Sequence, residues 1–193
     1  MQNKRPMQDF VASLLNSGLS PSYHYHNIDH TLYVKEQALK IGMIENCTPA
    51  ELRLLEAAAL WHDAGYLRGN EEHEMESCRL AGNYLPRFGF SASEILEISE
   101  LIMATKIPQS PKSKLGEILA DADMEYLGTL QAGETACLLF QELRSFHKDL
   151  TESAWNRIQI NFLESHHYFT PYCIQYREPQ KQLYLDQLHL TLT

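Results

Sequence analysis

The sequence predicts a single all-α domain. Its 193 residues suffice for one domain of ordinary size, whereas two separate hydrophobic cores would each be cramped. Apolar residues make up 44% of the chain and charged residues 21%, a globular composition that excludes a disordered or fibrous protein. Apolar side chains recur at helical spacing in nearly every segment, and no run of Val, Ile or Thr alternates with polar residues as a strand would.

Capping signals and apolar periodicity place the helices in order. Thr48 and Ser91 each stand three residues before a Glu, which is the pattern of a capping box, and Pro49 suits a first helical position. Gly65 and Gly89 predict helix ends. The predicted helices cover residues 9–15, 28–44, 49–64, 73–88, 91–104, 114–127, 134–148 and 152–167.

Charge and cysteine content limit the partners and the compartment. Asp and Glu outnumber Lys and Arg by 25 to 16, and the net charge of −9 repels nucleic-acid backbones and anionic lipid. No apolar run reaches the roughly 18 residues that a membrane span needs, and residues 10–15 read as an amphipathic first helix rather than a signal peptide. The four cysteines form no C-x-x-C pair, so we expect reduced thiols and a cytoplasmic protein.

The helix before Gly65 ends in two polar residues that need partners. It is apolar almost all round, which predicts a central position in the core. His62 and Asp63 follow directly, and an unpaired carboxylate at the end of a buried helix would cost several kcal/mol or become protonated. The simplest interpretation of this pair alone is a His–Asp hydrogen bond that caps the helix.

Two further segments carry similar side chains. If residues 25–31 are helical, His26 and His30 are four positions apart and project from one face. Asp121 and Asp123 are about 200° apart around a helix, so both cannot face water if the helix is buried on one side, and we expect one of them to point towards the interior. Either could otherwise belong to a solvated face.

Two imidazoles and two carboxylates can complete the coordination of one divalent ion. Mixed nitrogen and oxygen ligands suit Mn²⁺, Fe²⁺, Zn²⁺, Co²⁺ or Ni²⁺, and no cysteine lies nearby in the sequence. Such an ion would offset the buried negative charge. It would also provide the local positive site that a protein of charge −9 needs to attract a phosphate. We therefore expect one divalent transition metal as cofactor, and such an ion would permit a small phosphorylated molecule as partner.

The ordered set of His30, then His62-Asp63, then an Asp within the Ala120–Asp123 segment resembles the HD-domain superfamily of metal-dependent phosphohydrolases. The resemblance implies an HD-type helical bundle with a metal site between central helices. It implies a core of roughly residues 22–130, with C-terminal helices over 131–193 packed on it. It also implies that His30, His62, Asp63 and Asp123 bind the metal. Asp121 is a close alternative to Asp123, because Leu119-Ala120-Asp121 matches a spelling of the family.

A narrower resemblance involves Tyr25-His26-Asn27-x-x-His30, which is similar to a signature of the class I cyclic-nucleotide phosphodiesterases. It implies that His26 is the general acid, and imidazole titrates near neutrality as that role requires. The alternative is that His26 only orients a metal ligand through a hydrogen bond. This chain is much shorter than those catalytic domains, and no counterpart of their purine-binding glutamine is identified. Specificity for cyclic nucleotides is therefore not implied.

His73 and Lys106 are the remaining candidates. Many HD proteins have a His near position 73 that contacts phosphate or a second metal, although an exposed acidic helix start explains it equally well. Lys106 stands where two-metal members tend to carry histidines, which favours one metal and allows Lys106 to bind a phosphate oxygen. A lone loop lysine is otherwise simply solvated. Asp63 or Asp121 would accept a proton from the attacking water.

The predicted function is metal-dependent hydrolysis of a phosphoester or phosphoanhydride bond in a nucleotide-like small molecule. One alternative is an HD-type di-iron oxygenase, which needs further histidine ligands. The other is a non-catalytic nucleotide-binding regulatory module on an HD scaffold. The substrate, the metal and the oligomeric state are not determined by these patterns.

Overall fold

Ten α-helices form the computed structural model, which describes residues 6–191, and no strand occurs in that range. They are α1 (Met7–Gly18), α2 (Ile28–Ile44), α3 (Pro49–Trp61), α4 (His73–Tyr84), α5 (Ala92–Met103), α6 (Lys114–Asp123), α7 (Ala132–Phe146), α8 (Glu152–Ser165), α9 (Pro171–Tyr176) and α10 (Glu178–Leu190). The predicted all-α class is confirmed. The basic start and the last two residues of the predicted domain 1–193 lie outside the described residues.

Side-chain caps determine where three of the early helices begin. Both predicted capping boxes form, with the Thr48 and Ser91 hydroxyls accepting from the backbone N–H three residues later. The Asn27 side chain caps α2 by accepting from the backbone N–H of Asp29 at 2.8 Å and of His30 at 3.3 Å. His26 therefore precedes the helix, as the predicted bounds 28–44 imply, and the condition under which His26 and His30 would share a helix face is not met.

The centre of the bundle is α3, which packs against α2 and α5 and also contacts α6. Its three consecutive alanines, residues 57–59, are fully buried, and such small side chains let neighbouring helices approach closely. Trp61 at its end is also fully buried and stacks on Tyr84 with ring centroids 5.5 Å apart. This arrangement brings the ends of α3 and α6 beside the start of α2 in the interior.

Three predicted helices end earlier than expected, each before a short 3₁₀ turn. The helix α3 stops at Trp61 rather than at Gly65, α4 stops at Tyr84 rather than at Phe88, and α6 stops at Asp123 instead of running to Leu127. A Cβ atom on Gly65 would lie 1.9 Å from the backbone oxygen of His73. Glycine is thus required there because two backbone segments touch, and this close approach holds His73 beside the turn that carries Asp63.

The C-terminal helices α7, α8 and α10 pack on the end of α6 through a second apolar cluster that includes Met124, Leu127, Ile160 and Leu163. Buried polar contacts reinforce this junction, since Arg177 is paired with the buried Glu125. Within residues 6–191, no helix combines the length and the apolar character that crossing a bilayer requires.

Candidate metal centre

Three buried side chains from different helices converge on one point. His30 comes from the first turn of α2, His62 directly follows α3, and Asp123 is the last residue of α6. One ligand atom of each lies within 4.8 Å of the others. The His30 Nε2 is 3.1 Å from the Asp123 Oδ1, and the His62 Nε2 is 3.6 Å from the same oxygen. The structure thus brings these predicted residues together.

Asp63 belongs to the same cluster. Its Oδ2 atom lies 3.1 Å from the His62 Nε2 and 3.3 Å from the His30 Nε2. This oxygen is buried and has no well-formed hydrogen bond within the described part of the chain. A buried carboxylate oxygen without a hydrogen bond is costly, so its position calls for a cation.

The tautomer of His62 supports the same conclusion. Its Nδ1 lies 2.8 Å from the backbone oxygen of Ala59, and because a carbonyl only accepts, Nδ1 carries the proton. The Nε2 of His62 is therefore the nitrogen that offers a lone pair once the ring is neutral, and it faces the His30 Nε2 at 3.4 Å. Lone pairs and carboxylate oxygens that converge in this way fit a divalent transition metal ion, and His30, His62, Asp63 and Asp123 would hold it.

Charge interactions within the cluster shift its pKa values strongly. Burial acts to raise the pKa of Asp123, but the hydrogen bonds with His30 and His62 outweigh it and lower the pKa to about 2. The pKa of Asp63 is likewise held well below its ordinary value, and that of His62 well above, in both cases against the effect of burial. The carboxylates are therefore ionised, and a metal ion entering the cluster displaces imidazole protons.

Asp121 lies outside the cluster. Its carboxylate accepts hydrogen bonds from the backbone N–H of Phe169 at 2.9 Å and of Thr170 at 2.8 Å, and from the Thr170 hydroxyl at 2.6 Å. The alternative assignment of Asp121 as a metal ligand or proton acceptor is corrected by these contacts. Both aspartates are buried, but the helical rotation between them directs Asp121 to the segment before α9, which it anchors to α6.

His26 is oriented by a glutamate that the sequence analysis did not identify. Glu142, on α7, accepts from the backbone N–H of Tyr25 at 2.9 Å and of His26 at 3.0 Å, and it also binds the His26 Nδ1. The His26 Nε2 lies 3.1 Å from the Tyr66 hydroxyl. Burial alone would raise the pKa of Glu142, but the contacts with His26 lower it. The sequence feature that could have indicated Glu142 is its position as an acidic residue on the apolar face of α7, close to Leu139 along the helix.

The other two candidates line a cavity of about 290 Å³ that reaches Asp63 and Asp123. The His73 Nε2 lies 3.6 Å from the Asp63 Oδ1, and its ring stacks on Tyr66 with centroids 4.2 Å apart. Lys106 is paired with Glu72, with 2.7 Å between its Nζ and the carboxylate. Lys106 therefore lies near the cluster of potential metal ligands, but its ammonium group is already paired with a carboxylate. We call this space the polar cavity.

Comparison with known proteins identifies the family. The family model of the HD domain matches residues 27–125, just over half of the chain, and this range contains all four converging side chains. The chain belongs to the HD-domain family. The predicted membership is confirmed, and it places the protein in a superfamily of metal-dependent hydrolases.

A solved structure shows the same fold over the whole chain. The crystal structure of a predicted HD superfamily hydrolase from an uncultured Thermotogales bacterium matches with a TM-score of 0.65 and 21% sequence identity. The match covers 99% of this chain and 94% of that one. At this identity the likeness concerns the fold, and it includes the C-terminal helices as well as the HD core. No curated protein sequence matches the chain.

Proposed function

We propose that this HD-domain protein is a metal-dependent phosphohydrolase that cleaves a phosphoester or phosphoanhydride bond of a small molecule. The observation that carries the proposal is the convergence of His30, His62, Asp63 and Asp123 beside the polar cavity. A bound divalent ion supplies an activated water and stabilises charge on the phosphoryl group. The nucleotide-like character of the substrate stays a prediction, and the cavities described below bear on it.

Asp63 serves two purposes in this proposal. Its Oδ2 faces the two imidazoles, while its Oδ1 is directed towards His73 at 3.6 Å. An ionised carboxylate in this position orients the attacking water and accepts its proton. His73 stands beside that oxygen at the wall of the polar cavity, where it contacts either the water or a phosphate oxygen.

His26 is the proton donor for the leaving group. Glu142 binds its Nδ1 and thereby directs Nε2 towards the polar cavity, where Tyr66 is the neighbour. Fixed orientation of this kind is what a general acid needs, because proton transfer requires hydrogen-bond distance to the leaving oxygen.

Lys106 is the only lysine or arginine that lines the polar cavity within the described range, 6–191. Its ammonium group binds a phosphate oxygen as a point charge, in competition with its present partner Glu72.

The proposal is tested by metal analysis of the purified protein, followed by a phosphate-release screen with the metal found. We expect one divalent ion per chain and turnover of at least one phosphate ester, with both lost in His62→Asn. The exposed histidine in His24→Asn is the matched control and should preserve both. Turnover by metal-free His62→Asn would contradict the proposal.

Metal analysis, the phosphate-release screen and an assay of dioxygen consumption together distinguish the proposed hydrolase from the two alternatives. Two irons per chain with consumption of dioxygen would identify an oxygenase, to which His73 would contribute a ligand. Full metal loading without turnover on any phosphate ester would instead support a regulatory module.

A further inference from the structure

A second cavity, of about 300 Å³, lies between the end of α6 and the C-terminal helices α7, α8 and α10. Most of its wall is aromatic or aliphatic, including Tyr126, Leu139, Trp155, Phe162 and Tyr184. No Asp, Glu, Lys or Arg of the described chain lines it, although 21% of all residues are charged. We call this space the apolar cavity.

The apolar cavity adjoins the polar cavity. Tyr25, His26, Tyr66, Ile107 and Met124 line both of them. The junction therefore lies at His26, the residue that faces the leaving oxygen in the proposed function. A molecule with its phosphate in the polar cavity would extend the group beyond that oxygen into the apolar cavity.

The wall of the apolar cavity offers few free hydrogen-bonding groups. Its one amide side chain, Gln159, accepts from the Tyr184 hydroxyl at 2.7 Å and donates to the Asn156 Oδ1 at 3.2 Å. A sugar that entered would exchange bonds to water for few bonds to protein, which is costly. A hydrocarbon group gains from the same transfer, and a volume of this size suits a small ligand.

One polar group does remain unpaired at the junction. The Tyr25 hydroxyl is buried and makes no well-formed hydrogen bond among residues 6–191, with the Tyr126 hydroxyl as its polar neighbour, and Tyr25 lines both cavities. It can therefore donate to the oxygen that joins the phosphate to the organic group. This places a buried donor without a well-formed hydrogen bond where the two parts of such a molecule meet.

We propose that the substrate is a phosphate ester of an apolar alcohol, whose hydrocarbon group, of the size of a phenyl or naphthyl ring, fills the apolar cavity. This inference rests on the proposed function, and it replaces the nucleotide-like substrate expected from the resemblance. Hydrolysis forms a bond between phosphorus and the water oxygen and breaks the ester P–O bond. The alkoxide oxygen takes a proton from His26, and the proton of the water passes to Asp63.

The test compares primary alkyl phosphates that differ mainly in the group beyond the oxygen. We expect kcat/KM for 2-phenylethyl phosphate to exceed that for glycerol 3-phosphate and for adenosine 5′-monophosphate by about tenfold or more, as burial of an aromatic ring predicts. Equal values, or a preference for the nucleotide, would overturn the inference while leaving the proposed function intact. If no phosphate ester is hydrolysed, the proposed function fails instead.

Variants on α7 and α8 test whether the apolar cavity causes the substrate preference. Ala136 is buried in the wall of the apolar cavity, and Ala136→Phe fills the space, so it should reduce the preference for 2-phenylethyl phosphate at least several-fold. Cys137→Phe puts the same side chain on the exposed side of the helix and should keep the preference. Ile158→Glu, at the exposed rim, is a second variant if Ala136→Phe does not fold. An unchanged preference in folded Ala136→Phe or Ile158→Glu would refute the assignment.

A binding measurement tests the cavity without turnover. Calorimetry with 2-phenylethylphosphonate should show tighter binding than with methylphosphonate and a negative heat-capacity change, both reduced in Ala136→Phe. Equal binding of the two phosphonates would contradict the proposed occupant even if no ester is hydrolysed.

Discussion

The HD core, residues 27–125, and the C-terminal helices α7–α10 contribute different things to one site. The core supplies the four converging side chains and the polar cavity. The C-terminal helices supply most of the apolar wall and Glu142, the carboxylate that holds His26. In the proposed function the core holds the metal and the C-terminal helices contact the organic group and orient His26, so substitutions in the two regions should have separable effects.

The largest effect is expected from Asp123→Asn in the core. Loss of this carboxylate removes a buried ligand, so turnover should fall about a thousandfold or more, and the metal content of the purified protein should fall with it. Metal analysis and the phosphate-release assay check both. Normal metal content in the variant would exclude Asp123 from the site.

A smaller effect is expected from Glu142→Gln in the C-terminal region. Turnover should fall by about 10- to 100-fold with unchanged metal content, because Glu142 contacts His26 and not the cluster. The fall should shrink for a p-nitrophenyl ester, whose leaving group needs no proton. An equal fall for both esters would indicate that His26 orients the site and does not donate a proton. Glu134→Gln, exposed on the same helix, is the control.

Asp121→Asn should lower the stability of the fold without affecting metal binding. It disturbs hydrogen bonds to Phe169 and Thr170, so the free energy of unfolding should fall by about 1–3 kcal/mol. Metal content should stay at the wild-type level, in contrast to Asp123→Asn. Chemical denaturation and metal analysis of the two variants give the comparison, and metal loss in Asp121→Asn would restore it as a candidate ligand.

Acid should weaken the C-terminal region through His166. Burial, with the charge of Lys181 as a second cause, lowers its pKa from 6.5 to about 3. The unfolded chain binds the proton first, so stability is complete above about pH 6.5 and falls towards pH 3 by up to about 1.4 kcal/mol per pH unit. Denaturant titrations of His166→Asn should show a weaker pH dependence of the free energy of unfolding. His167 is its exposed neighbour, and His167→Asn should leave that pH dependence unchanged.

The smallest effect is expected from Lys106→Gln. KM should rise about two- to fivefold with little change in kcat, because an exposed ammonium group contributes modestly to binding. Steady-state kinetics compare it with Lys112→Gln, which lies in the same loop and does not line the polar cavity. An identical KM in the two variants would show that Lys106 does not bind the phosphate.

The helical class, the two capping boxes and the residue types of the metal centre were predictable from the sequence. These features depend on local patterns: apolar periodicity, Ser or Thr before Glu, and His-Asp after an apolar helix. The choice between Asp121 and Asp123 was not predictable, because both lie on one buried helix and only the partners across the bundle distinguish them.

What the amino-acid order alone determined is the helical chain and its set of potential ligands. Tertiary structure decided that Glu142 holds His26 from 116 positions away, that Asp123 and not Asp121 joins the cluster, and that an apolar cavity adjoins the polar one. The physical reason is that these contacts join segments distant along the chain, and their energies depend on how the packed helices place each side chain in space.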